Sequence, residues 1–205
     1  RLSESASKPV ILADIQDNSG GGSSSDTMFV LKELVKQKAK ETVIGMIFDP
    51  QSASAAHAAG QGTEIKLALG GKYISGDSPL QATFKVERLH DGIVTGTGPM
   101  IGGLEINVGK MALLRLDDIL IVVGSLRMQA ADQALFTVLG VNPSEMKIVV
   151  VKSANHFRAD FEPISSSIIE VLAPGSDVED PGTFTFAHLR SGVRLKGFGP
   201  LHFLD

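Results

Sequence analysis

The sequence predicts an α/β fold: a mostly parallel sheet flanked by helices, with an antiparallel β insertion in the middle. Three observations predict it. The runs "PVILADI" (9–15), "ETVIGMIF" (41–48) and "KIVVVKS" (147–153) are continuously apolar, as strands buried on both faces are. The first two are each followed by a helical pattern, the order of parallel β/α units. Between 62 and 125 the pattern changes to alternation of apolar and polar residues, the mark of an antiparallel meander.

Each element has its own local reason. "QDNSGGGSSSDT" (16–27) is a loop by composition. In "TMFVLKELVKQKAK" (27–40), Phe29, Val30, Leu34 and Val35 recur at helical spacing, and Asp26 or Thr27 can cap the helix. "DPQSASAAHAAG" (49–60) is a short helix with Asp49 as cap, Pro50 first and Gly60 at its end. Asp91-Gly92 and Asp117-Asp118 supply turns in the meander. "DQALFTVLGVNPSEM" (132–146) predicts a helix stopped by Gly140, and "FEPISSSIIEVLAP" (161–174) a further helix and a strand-like exit. From about 174 an irregular tail is expected. No internal repeat or long linker breaks the chain, so 1–205 is read as one domain.

Composition narrows function. The chain has 205 residues, 43% of them apolar, enough for one good core. A net charge of −4 argues against nucleic acid as a partner. The longest apolar stretch, "ILIVVGSL" (119–126), is strand-sized, which argues against a membrane span. With no cysteine there is no thiolate metal site and no cysteine nucleophile, so a metal would need His, Asp or Glu. Tyr73 is the only tyrosine and tryptophan is absent, which leaves no stacking platform for bases. No signal-peptide pattern is visible and a cytoplasmic location is expected. The first residue, Arg1, points to a processed protein or a piece of a longer one.

Two stretches carry the candidate chemistry. Asp17, Asn18 and the triplet Gly20, Gly21 and Gly22 follow the first buried strand. Glycines let a backbone approach a ligand, and N–H groups beside a helix start favour an anion. The alternative is a surface loop without function. The loop is no Walker loop and lacks G-x-G-x-x-G spacing. Lys152, Ser153, Asn155, His156 and Arg158 follow another buried strand. Both groups should therefore emerge at the carboxyl edge of the sheet, where open α/β sheets bind ligands. His156 could ligate a metal, donate to an oxyanion or orient a carboxylate; equally, it could bond the backbone at a corner. Arg158 suits a carboxylate. The loop "GTGPMIGGL" (96–104) could cover a cleft, and Arg127 and Gln129 in "SLRMQAAD" (125–132) could line the same edge. His57, His90, His188 and His202 show no H-E-x-x-H spacing, and there is no G-x-S-x-G elbow.

The stretches "ADIQDNSGGGSSSDT", "GMIFDPQSASAAHAAG", "LALGGK", "TGTGPMIGGL" and "GVNPSEMKIVVVKSANHFRADFEPI" resemble, in order, the C-terminal domain of the MlrC (microcystinase C) family of bacterial metallopeptidases. The likeness runs from about 9 to 173 and fades in the tail. It implies a zinc-dependent hydrolase of peptide or amide bonds, with zinc held mainly by an N-terminal domain that is missing from this chain. The chain would then be inactive alone. It would supply the wall of an interdomain cleft: Asp17, Asn18 and Gly20–Gly22 holding substrate, His156 acting on the scissile bond or near the metal, and Arg158 anchoring charge. Expected partners are a peptide or amide substrate and the N-terminal domain, with homo-oligomerisation left open. A non-catalytic module gripping an anion at the glycine loop, and a purely structural domain, are the alternatives.

Overall fold

The computed structural model describes Ser7, residues 9–195 and the backbone of 201–202. The remaining residues of the expected 1–205 domain lie outside the described ones. In chain order the elements are β1 (Val10–Asp14), α1 (Phe29–Lys36), β2 (Thr42–Phe48), α2 (Pro50–Ala59), β3 (Glu64–Leu69), β4 (Leu80–His90), β5 (Ile93–Thr95), β6 (Glu105–Asn107), β7 (Met111–Leu116), β8 (Ile119–Gly124), α3 (Ala134–Thr137), β9 (Ile148–Val151), α4 (Arg158–Phe161), β10 (Ser167–Val171), β11 (Val193–Arg194) and β12 (Leu201–His202).

Eight strands form one sheet in the order β10-β1-β9-β2-β8-β7-β4-β3. The first five run parallel; β8, β7, β4 and β3 then alternate in direction. The predicted antiparallel insertion is thus a continuation of the main sheet, with β8 parallel to β2 on one side and antiparallel to β7 on the other. β5 and β6 form a separate hairpin.

Apolar layers cover both faces, which is why β1, β2 and β9 are apolar without alternation. On one face Val30, Leu31 and Leu34 of α1 and Ala53 and Ala56 of α2 join Ile44, Ile47, Ile121 and Val123. On the other, Leu135, Phe136, Phe157 and Phe161 join Ala13, Val43, Val149 and Val151.

Two sequence expectations change in detail. α1 takes no side-chain cap from Asp26 or Thr27. Its first N–H, on Met28, donates instead to Asp77, whose carboxylate also pairs with Lys32. α2 behaves as expected: Asp49 accepts from the Ser52 N–H, Pro50 is first and Gly60 has a positive φ of 89°. The helix expected within 132–146 and stopped by Gly140 is shortened to α3; Gly140 follows with a positive φ of 77°, and then a turn of 3-10 helix, Pro143–Glu145. Ala134, Leu135, Phe136, Leu139 and Val141 enter the core, while Thr137, Gly140, Asn142, Ser144 and Glu145 stay exposed. After β10 the described chain holds one 3-10 turn and the short β11–β12 pair.

Candidate active-site rim

β1 lies between β9 and β10, and all three run parallel. The loops leaving β1 and β9 therefore emerge side by side at the carboxyl edge. β2 and β8, also parallel, bring 49 and 125–132 to the same edge.

Beneath this edge sits a buried ionic hub. Asp14 and Asp17 flank Lys152, whose Nζ lies 2.9 Å and 2.7 Å from their carboxylates, with all three side chains fully buried. Lys152 also donates to the Thr27 carbonyl and hydroxyl. Asp17 accepts from the hydroxyls of Ser23 and Thr27 and from the N–H groups of Ser25 and Thr27 at 2.7–2.9 Å. The serine-rich stretch thus wraps a carboxylate. Asp17 does not face the rim; it shapes the loop that does.

Charge follows this geometry. Burial alone would raise the Asp17 pKa, but the Lys152 ammonium with the Thr27 N–H and Ser23 hydroxyl holds it below its ordinary value. Asp14 goes the other way: burial raises it, and Lys152 offsets this only in part. Its Oδ1 is buried without a partner. Burial would lower Lys152, but the two carboxylates reverse the sign and raise it. Asp49 is held low by Lys72, the Gly70 N–H and Ser52 against the opposing effect of burial.

The pH dependence has a definite sign. Groups with depressed carboxyl pKa values stabilise the fold above the ordinary value of 3.8, and that stability is lost as pH falls through their folded values. Urea midpoints from about pH 7 to about pH 2 should stay high and then fall below about pH 4. Asp17→Asn should flatten that acid limb; an unchanged limb would show that Asp17 contributes nothing to it.

Above the hub, the glycine loop turns outward with Gly20, Gly21 and Gly22 exposed. The N–H groups of Gly20, Gly21, Gly22 and Ser23 all donate inside the loop, to Asn18 or Ser19. The loop therefore lacks the outward N–H cradle that an anion needs. Gly20 and Gly21 serve close packing, and Gly22 takes a left-handed turn with a φ of 102°. A Cβ on Gly20 would stand 2.5 Å from Gln129 Oε1, and one on Gly21 would stand 2.0 Å from Asp177 Oδ2. Asn18 itself is buried and donates to Asp177. The segment around Asp177 lies along this loop: Asp177 N–H donates to the Gln16 carbonyl and Ser176 meets Ser23.

Gln129 joins the two candidate stretches. Its Oε1 lies over Gly20 and 3.4 Å from Nδ1 of His156, and its Nε2 donates to Met100 Sδ. His156 is exposed. Met100 belongs to the 96–104 loop, which is anchored by Asp132. That buried carboxylate accepts from Thr97, Gly98 and Ala134 N–H groups. Arg158 turns elsewhere: it pairs with Glu170 on β10 and stacks on Phe157. Arg127 covers the Phe48 and Tyr73 rings.

Sequence reading expected Lys152 and Ser153 to emerge at the edge, but both are fully buried; it gave Asp132 no role and did not link the segment around Asp177 to the glycine loop. For Lys152 a signal existed. Asp14 ends one apolar run and Lys152 follows another, so adjacent strands would bury opposite charges together. Among the described residues no group of three or more His, Asp or Glu could hold a metal ion.

In parallel α/β sheets the carboxyl edge, here with its polar rim, is where ligands bind. The family model for the MlrC C-terminus matches residues 12–188, and the chain belongs to that family. It is 30% identical to Microcystinase C of Sphingomonas sp over 166 residues, 80% of this chain and 32% of that protein. It also resembles the crystal structure of a protein named "Putative metallopeptidase" from Mesorhizobium sp. BNC1. The TM-score is 0.84 at 24% identity, with 98% of this chain and 41% of that one covered. The chain thus spans about a third of its curated relative's length.

Proposed function

We propose that this chain forms the substrate-facing wall of a peptide- or amide-bond hydrolase. The site would be completed by a companion corresponding to the remainder of the longer relatives. The observation that carries this is the continuous chain Gly20–Gln129–His156 at the carboxyl edge of the parallel strands. Membership of the MlrC C-terminus family and similarity to Microcystinase C support the reaction class. Met100, Leu104, Leu126 and Tyr73, on loops at or near this edge, are exposed apolar side chains that a covering companion would bury.

In this proposal His156 faces the scissile amide and exchanges a hydrogen bond or a proton with it. The glycine loop bounds the cleft, through its backbone rather than through Asp17. The described residues do not form a metal ligand set, so a zinc ion would be held by the companion, where it would supply water activation. The chain alone would be inactive.

The test joins the chain to its companion and measures peptide hydrolysis. His156→Ala should lower kcat/KM at least about tenfold. A value within about twofold of the unmodified complex would remove His156 from the reaction.

A further inference from the structure

Gln129 is nine-tenths buried and occupies the point where three separate loops meet. Its amide has one donor end and one acceptor end. The donor end, Nε2, faces Met100 Sδ at 3.6 Å. A thioether can only accept, so this contact fixes which end of the amide is nitrogen. The acceptor end, Oε1, is then turned toward Gly20 and His156. Only glycine at position 20 leaves room for it, because a Cβ there would overlap Oε1 and Cδ at 2.5 Å and 2.8 Å.

An amide oxygen cannot donate. The hydrogen bond between Oε1 and His156 Nδ1, at 3.4 Å, therefore requires the proton on Nδ1. In the neutral ring Nε2 then carries the lone pair, and among the described residues it has no hydrogen-bond partner. We propose that Gln129 is a positioning residue that sets the tautomer of His156. Its amide, seated on Gly20 and turned by Met100, holds the imidazole as the Nδ1–H form and presents Nε2 at the rim as an acceptor.

This deepens the hydrolase proposal and rests on it for its functional meaning. It also divides the roles open to His156. A neutral ring held this way accepts a hydrogen bond or a proton from an N–H or O–H group. It cannot donate to a carbonyl oxygen until it has gained a second proton. The substrate group facing Nε2 would then be an amide N–H, or the O–H of an attacking water, rather than the carbonyl.

The tautomer can be read directly, without substrate or companion. The full chain is labelled with ¹⁵N-histidine, and long-range ¹H–¹⁵N correlations are recorded at about pH 8, above the ordinary imidazole range. The His156 signals are assigned by their loss in His156→Gln. The expected result is Nδ1–H as the predominant form in the unmodified chain. Gln129→Leu keeps the volume but removes the acceptor, and should convert His156 to Nε2–H, the ordinary preference of the free side chain. Gln129→Glu restores an acceptor and should keep Nδ1–H, which separates hydrogen bonding from packing. Predominant Nε2–H in the unmodified chain, or an unchanged tautomer in Gln129→Leu, would overturn the proposal. If the tautomer behaves as expected while His156→Ala leaves hydrolysis intact, the tautomer assignment stands and the hydrolase role of His156 fails.

Discussion

Replacing Lys152 with methionine is expected to destabilise the fold by about 3–5 kcal/mol at neutral pH, the loss typical of breaking a buried ion pair from one side. For a chain of this size that is a fall in Tm of roughly 10 °C. Methionine fills most of the volume, so the loss comes from charge rather than from a cavity. Asp14 and Asp17 would be left fully buried without their cation. Two orphaned carboxylates in a low-dielectric site take up protons instead. The variant should therefore have an altered pH response. Its carboxyl pKa values rise above the ordinary aspartate value, so the folded state binds more protons than the unfolded one. Stability then increases as pH falls from about 7 toward about 5, and more steeply than in the unmodified chain, where Asp14 alone of the two is raised and Asp17 is lowered. Urea unfolding of both proteins at the two pH values checks this. Equal pH responses would mean that the hub is not the ionic network described.

The second large effect is expected at Asp132. Alanine there removes the acceptor for the Gly98 and Ala134 N–H groups, both on buried residues, and for Thr97. Each buried donor left unsatisfied costs about 1–3 kcal/mol, and water can reach Thr97, so a total of about 2–6 kcal/mol follows from the other two. The loss should also be local. Asp132 is the anchor of the 96–104 loop, so hydrogen exchange at Thr97 and Gly98 should accelerate well beyond that of β1 or β9. Asp132→Asn retains one acceptor oxygen and should fall between the two. Unchanged protection of Gly98 in Asp132→Ala would show that the loop is held by something else.

Much of the architecture was legible because the physical signal was local. Val10–Asp14, Thr42–Phe48 and Ile148–Val151 are apolar on both faces, and only strands inside a covered sheet need that. α2 announced both ends through Asp49, Pro50 and Gly60. Long-range chemistry was less visible. Asp26 and Thr27 have the right identity to cap α1, but Asp26 accepts from the Lys72 N–H and Thr27 serves Asp17. The carboxylate that accepts from Met28 N–H, just before the helix, belongs to Asp77, 49 positions away. The helix ahead of Gly140 is shorter than expected, because Ala134, Leu135, Phe136 and Leu139 all enter the core and read as a longer helical stripe. At the site, the glycine triplet was read as a cradle for a ligand. Glycine identity shows that something comes close; it does not show that the visitors are Gln129 and Asp177. His156 was singled out from the sequence, whereas its neighbour Gln129 was noted only as lining the edge, since an amide's meaning depends on what stands at each of its ends.

The strand order has a consequence for how the molecule is made. β1 is made before the sheet's other strands, yet both of its neighbours, β9 and β10, belong to the last third of the described chain. β2 likewise waits for β8 and β9. Loop-closure entropy across such spans must be overcome before those pairings return any stabilisation. On the ribosome β1 would remain unpaired, and β2 paired on one side at most, to β8, until Ile148–Val151 has emerged and slotted between them. Assembly should therefore be late and nearly all-or-none, and a nascent chain stalled before that point would expose two sticky strand edges to chaperones.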